Sequence, residues 1–145
     1  SDLEDLVLST VVLHELASRG PTFVTDWPVE RAALARLRPG RDADGCLSAA
    51  RFELFAGGLE LCNGYHELGD PDEQAARIDA SNEARRSLGK PPYPVDDEFL
   101  DALRRGLPDC SGNALGLDRL QMLLTENRDI GDVRAFRVAA PEVLR

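Results

Sequence analysis

The chain has 145 residues, 43% of them hydrophobic, enough for one domain with a sizeable core, so disorder throughout is excluded. No apolar run reaches the roughly 18 residues of a membrane-spanning helix, and no signal-peptide pattern is present. The net charge of −9, from 26 acidic and 17 basic residues, argues against a nucleic-acid footprint and suits a basic protein partner or plain solubility.

In chain order, a helix is expected over Glu4–Ala17, followed by a strand over Thr22–Asp26 and an Ala/Arg-rich helix near Val29–Leu37. Pro39 to Gly45 reads as a loop. Two alternating runs between Arg51 and Leu68 flank Gly57-Gly58, a dipeptide suited to the positive φ angles of a two-residue hairpin turn. Asp70 as N-cap, Pro71 at the first position and Glu73 closing a capping box start a helix that runs to about Leu88. Its weak apolar face marks a largely exposed cover. A Gly- and Pro-rich stretch from Gly89 to Pro94 ends it, and a shorter helix spans Asp96–Arg105. Small residues from Pro108 to Gly116 form a short strand leading into a helix with Leu120, Leu123 and Leu124 on its apolar stripe. A last short strand is expected near Val133–Phe136. The architecture is α+β, with part of an antiparallel sheet flanked by helices and no internal repeat.

Chemistry concentrates in two stretches. If the Gly57-Gly58 turn is tight, Phe55 faces Glu60, and Glu53 points the same way as Glu60, about 7–8 Å off diagonally. Two such carboxylates suit a Mg²⁺ ion completed by substrate phosphates and water; the plainer alternative is two solvated glutamates on the wet face of a sheet. Asn63, Tyr65 and Glu67 have the opposite parity to Glu60, so one site for all four needs a bulge or bend near Asn63-Gly64, which Gly64 makes cheap. In the second stretch Arg119 stands in the first helical turn, where a cation opposes the macrodipole. Its planar fork fits a phosphate, and Gly112, Ala114 and Gly116 leave room for a flat ligand. An ordinary strand–helix corner with a surface ion pair is the alternative. Cys46, Cys62 and Cys110 fit no metal-ligand spacing and read as free thiols in a reducing cytosol; His14 and His66 read as structural or solvated.

The patterns from Phe52-Glu53 through Gly58-Leu59-Glu60-Leu61-Cys62-Asn63-Gly64-Tyr65-His66-Glu67-Leu68, and from Gly112 to Leu120, resemble the C-terminal half of a class II lysyl-tRNA synthetase catalytic domain. The second is similar to that class's motif 3, at about residues 112–124, and Pro21 to Pro28 resembles the strand preceding them. The likeness runs from about Asp5 to Phe136. Tyr65-His66-Glu67-Leu68 with Asp70, the lead Leu107-Pro108-Asp109-Cys110-Ser111-Gly112, and Ala114 where the tRNA synthetases have glycine are similar to one paralogous branch. That branch attaches a lysine-type amino acid to a lysine of elongation factor P.

The resemblance implies ATP and Mg²⁺ as cofactors, with Glu53 and Glu60 holding the metal on the ATP phosphates and Arg119 gripping the γ-phosphate as the catalytic group. It implies that Glu67 pairs with the side-chain ammonium of lysine or β-lysine, with Asn63, Tyr65, Gly112 and Ala114 around the same substrate. One methyl at Ala114 in a tight pocket is worth about 1–3 kcal/mol of amino-acid discrimination. Cys62 and Thr125-Glu126-Asn127 depart from the family pattern, and Ala32 to Ala35 lacks its Ser-Pro. Elongation factor P is the implied acceptor, tRNA-Lys the alternative; the location implied is cytoplasmic, and a homodimer is the oligomer allowed for a full-length parent. No stretch resembles motif 1 or motif 2, so the 145 residues are expected to be the C-terminal part of one catalytic domain. Such a piece is expected to be inactive alone, which leaves a truncated paralogue that binds amino acid or nucleotide as a non-catalytic reading.

Overall fold

In a computed structural model, residues 2–41 and 44–136 are described; Asp42 and Ala43 of the expected loop lie outside them. Strands β1 (Thr22–Pro28), β2 (Ser48–Ala56), β3 (Leu59–His66) and β4 (Ser111–Leu115) form one four-stranded antiparallel sheet in the order β1-β2-β3-β4. With the helices below, the fold is α+β, as expected. By internal packing the chain divides into two units. Among the described residues, one comprises 2–24, 53–63 and 113–136; the other comprises 25–41, 44–52 and 64–112.

In the first unit the expected N-terminal helix forms as α1 (Asp2–Val7), a π-helical turn (Leu8–Val12) and α2 (Leu13–Ala17). The hydroxyls of Ser9 and Thr10 both donate to the Leu6 carbonyl, at 3.1 and 2.6 Å, the kind of back-bonding that disturbs an α-helical ladder. Helix α5 (Leu117–Leu124) buries Met122, and Phe55, Ala56, Leu61 and Cys62 are the other buried apolar residues among those described in this unit. Gly57 and Gly58 take φ of 58° and 78°, so the hairpin turn is the tight, two-residue kind. A Cβ on Gly57 would also stand 2.8 Å from the Leu123 side chain.

In the second unit, α3 (Pro71–Ser87) is capped by Asp70, whose Oδ1 accepts from the backbone N–H groups of Asp72 and Glu73. The reciprocal half of the expected capping box does not appear among the bonds of Glu73; its carboxylate pairs with Arg77 at 2.5 Å. Only Gln74 and Asn82 of α3 are buried, in keeping with a cover helix. Asn82 donates to the Tyr93 carbonyl and accepts from its N–H, which fastens the Pro-rich stretch leading to α4 (Asp97–Arg104).

Two expected elements take other forms. In place of a helix over Val29–Leu37 there is one 3-10 turn (Val29–Arg31), a positive φ of 48° at Ala33, and an extended segment after it. That segment pairs on both sides: Leu68 N–H donates to Leu34 O and Arg36 N–H to His66 O, while Ala50 N–H donates to Arg36 O and Arg38 N–H to Ser48 O. Bridges Ala35–Glu67 and Leu37–Ala49 mark the same pairing. Four ladder bonds, each worth roughly 1 kcal/mol, outweigh helix propensities of a few tenths per residue. The strand expected near Val133–Phe136 is a 3-10 turn (Ile130–Asp132) followed by irregular chain, with the Asp129 carboxylate accepting from Gly131 N–H.

The bend in β3 exists, but not at Gly64. A tight turn sets Glu53 opposite Cys62, yet Asn63 reaches Glu53 across the first unit, and in the second a Cβ on Gly64 would overlap the Phe52 ring. Both pairs are one residue out of the turn's register, so β3 carries one extra residue between the turn and Asn63. Adjacent Leu61 and Cys62, both buried, break the alternation there. Gly64 has no left-handed φ; its missing side chain makes room for Phe52 and for the Gly112 carbonyl, 2.9 Å from where its Cβ would be. Gly64→Ala is therefore expected to cost about 1–3 kcal/mol of stability by overpacking, read as a lower urea midpoint at unchanged slope. An unchanged midpoint would show that the ring swings clear.

Candidate active site

In the first unit, Glu53 on β2 is 6% exposed, and one of its carboxylate oxygens accepts from Asn63 Nδ2 at 3.2 Å. A donated hydrogen bond offsets part of the cost of burying a charge. Gly116 N–H donates to Leu61 O at 2.8 Å, and counting along the two antiparallel strands from that bond sets Ala114 opposite Asn63. Glu53, Asn63 and Ala114 thus form one row across β2, β3 and β4. Arg119, in the first turn of α5, folds back onto β3: its Nη1 donates to the Glu60 carbonyl at 2.8 Å and lies 3.8 Å from the Glu60 carboxylate. Leu115 to Arg119 and Ile130 line a groove of about 450 Å³ beside it. Among the described residues no three His, Cys, Asp or Glu side chains gather into a metal cage. Glu53 and Glu60 each offer hard oxygen donors, the kind a Mg²⁺ ion takes together with phosphate and water.

In the second unit, Glu67 follows β3 directly. Its N–H donates to Cys110 O at 3.0 Å, which continues the same register and sets Gly112 opposite Tyr65. A Cβ on Gly112 would overlap Glu67 Oε1 and stand 3.3 Å from its Cδ. The bare backbone of Gly112 is thus the floor on which the Glu67 carboxylate lies. Arg51 stacks 4.6 Å from the Trp27 ring centre and 5.8 Å from that of Tyr65, and its Nη1 donates to Arg31 O at 2.6 Å.

Sequence reasoning missed a cluster around the backbone of Glu67. His66 Nε2 shares a hydrogen with Asp109 Oδ1 at 2.6 Å, and Arg36 Nη1 lies 3.3 Å from the same oxygen. Arg36 Nε donates to the Glu67 carbonyl at 2.6 Å. The hydrogen bond of His66 and then its charge hold the Asp109 carboxyl below its ordinary 3.8; desolvation opposes them, and the charge of Arg36 adds the least. A lowered carboxylate pKa contributes stability above the ordinary value and loses it as pH falls through the lowered one; the Asp109 side chain is exposed, so solvent screens that contribution. His66 reads as structural or solvated on sequence; in the structure its partly exposed ring pairs with Asp109. Arg36 carried no signal because the expected helix hid its extended pairing.

Residues 1–139 match the family described as tRNA synthetases class II (D, K and N), and the chain belongs to that family. It is 43% identical over 136 residues to the elongation factor P--(R)-beta-lysine ligase of Vibrio atlanticus (strain LGP32), covering 92% of this chain and 40% of that protein. The ligases of the same name from Photobacterium profundum and Salmonella gallinarum are each 42% identical over 136 residues, covering 94% of this chain and 41% of theirs. The chain therefore spans about two fifths of the length of these relatives. No helix among the described residues is long and apolar enough to cross a membrane.

Proposed function

We propose that the complete protein containing this chain activates a lysine-type amino acid with ATP and transfers it to a lysine of elongation factor P. The observation that carries this reading is the 42–43% identity to elongation factor P--(R)-beta-lysine ligases across 92–94% of the chain. Glu67 lying on Gly112 would supply a carboxylate for the distal ammonium of the substrate, and Tyr65 stands opposite Gly112 on β3. Glu53 and Glu60 would hold Mg²⁺, which when bound would neutralise ATP phosphate charge; Arg119 would hold the γ-phosphate. Activation would be an in-line attack of the amino-acid carboxylate on the α-phosphate, forming the acyl–phosphate bond as the α–β phosphoanhydride bond breaks and pyrophosphate leaves; positioning and charge stabilisation would supply most of the rate. The chain's residues 1–145 are assigned to the C-terminal part of that catalytic domain, and the protein to the cytoplasm.

The test is pyrophosphate exchange with α- and β-lysine, followed by mass spectrometry of elongation factor P incubated with the complete protein. A mass gain on elongation factor P with no charging of tRNA-Lys is expected. Charging of tRNA-Lys instead would make it a lysyl-tRNA synthetase, the reading favoured by the wider family description. No exchange with either acid would leave a binding paralogue.

Substrate choice is expected to rest on the row Glu53–Asn63–Ala114. Ala114 adds a methyl directly across from Asn63, so Ala114→Gly should move the ratio of kcat/KM for β-lysine over α-lysine about tenfold toward α-lysine. An unchanged ratio would remove Ala114 from the argument.

A further inference from the structure

Glu67 stands past the last residue of β3, where the β3–β2 pairing has given way to the inserted segment 34–38. A carboxylate that recognises one ammonium must be held to a fraction of an ångström, and a residue at a strand's end needs support from its surroundings. Glu67 has three backbone supports: its N–H on Cys110 O, its bridge to Ala35, and its carbonyl on the Arg36 guanidinium. Arg36 is the member that reaches furthest. Its main chain pairs with His66 and Ala50, its Nε holds the Glu67 carbonyl, and its Nη1 meets Asp109, which His66 also holds. Asp109 directly precedes Cys110, so the guanidinium ties the end of β3 to the chain entering β4. Arg77 fastens the inserted segment from behind, its Nη1 donating to Ala33 O at 2.9 Å and to Ala35 O at 2.7 Å.

We propose that Arg36 is a positioning residue for substrate recognition: its guanidinium fixes the Glu67 backbone and the Asp109–Cys110 strand end together, so that the Glu67 carboxylate stays on Gly112, aimed at the distal ammonium of a lysine-type acid. The proposal rests on the reading of Glu67 given above. Removing the guanidinium leaves all four main-chain bonds of the inserted segment in place, so the sheet keeps its topology and the loss falls on the aim of Glu67. Lysine at this position can reach the Glu67 carbonyl or Asp109 but, as a point donor on a flexible stem, does not hold both in one plane.

The experiment compares Arg36→Ala, Arg36→Lys and Glu67→Gln in the complete protein, by pyrophosphate exchange with the lysine-type acid that it activates best. Norleucine, which lacks the distal ammonium, serves as a competing ligand. For Arg36→Ala, a rise in KM for the amino acid of about tenfold is expected, with kcat, KM for ATP and the Ki of norleucine within about twofold of wild type. Arg36→Lys should fall between alanine and wild type. If Glu67→Gln raises KM for the amino acid and Arg36→Ala does not, or if Arg36→Ala weakens norleucine equally, the positioning role is overturned while the reading of Glu67 stands. If Glu67→Gln leaves KM unchanged, that reading falls and the role of Arg36 falls with it.

Discussion

Arg119→Ala is expected to lower kcat for adenylate formation in the complete protein by about two to three orders of magnitude, with a smaller rise in KM for ATP. The expectation follows from where the guanidinium is held. Arg119 sits in the first turn of α5, where a cation opposes the helix macrodipole and no side chain caps the helix. Instead of leaving for solvent, the side chain lies back over β3, with one nitrogen on the Glu60 carbonyl and the Glu60 carboxylate 3.8 Å away. Exposed ion pairs of this length contribute little to stability, so stability gives no sufficient reason for the placement. A guanidinium fixed by a backbone carbonyl keeps the rest of its planar fork available, which suits two phosphate oxygens. On the proposed reading it also sets the cation beside a carboxylate that would hold the metal, so both would serve one phosphate chain. Arg119→Lys keeps charge but loses the fork and should retain only part of the rate. A fall of less than about threefold for Arg119→Ala, against a folded control, would make Arg119 a strap on Glu60 and no more.

The parts of this fold legible in the sequence are those decided by local chemistry. Gly57-Gly58 has no side chains to resist positive φ, and Asp70-Pro71 caps and starts a helix by its own groups, so both appear where expected. The segment 32–37 failed for the opposite reason. Its alanines and arginine favour a helix locally, but its partners are the ends of two strands far along the chain, and no residue inside the segment announces them. Gly64 illustrates a finer failure. The need for a bulge was readable from the parity of Glu60 against Asn63, Tyr65 and Glu67, and glycine was the natural place to put it. The extra residue lies earlier, and Gly64 is instead the gap that Phe52 fills, a packing demand visible only when the opposite strand is in place. The rows of site residues show the same division. Alternation put Asn63, Tyr65 and Glu67 on one side of β3, whereas the pairing of Asn63 with Ala114 and of Tyr65 with Gly112 required the register of β4.

Gly112→Ala is expected to weaken the lysine-type substrate by one to two orders of magnitude, roughly as much as neutralising Glu67, while leaving nucleotide binding in place. In sequence, glycine there suggested room for a flat ligand. The structure fills that room with the protein's own carboxylate: the added Cβ would collide with Glu67 Oε1 and stand 3.3 Å from Cδ. Glu67 cannot yield by moving its backbone, because Cys110 O, the bridge to Ala35 and the Arg36 guanidinium hold it from three directions. The strain must therefore be relieved by rotating the carboxylate off the strand, away from the position it would share with the ammonium. On the proposed reading, one methyl group would remove the ion pair with the substrate without removing either charge. The Glu67→Gln and Gly112→Ala changes then act on one interaction, and their effects on KM should not add: the double variant is expected to match the worse single variant within about threefold. Additive losses in that double-mutant cycle would place Gly112 in contact with another part of the substrate and return it to the role of making room for a ligand.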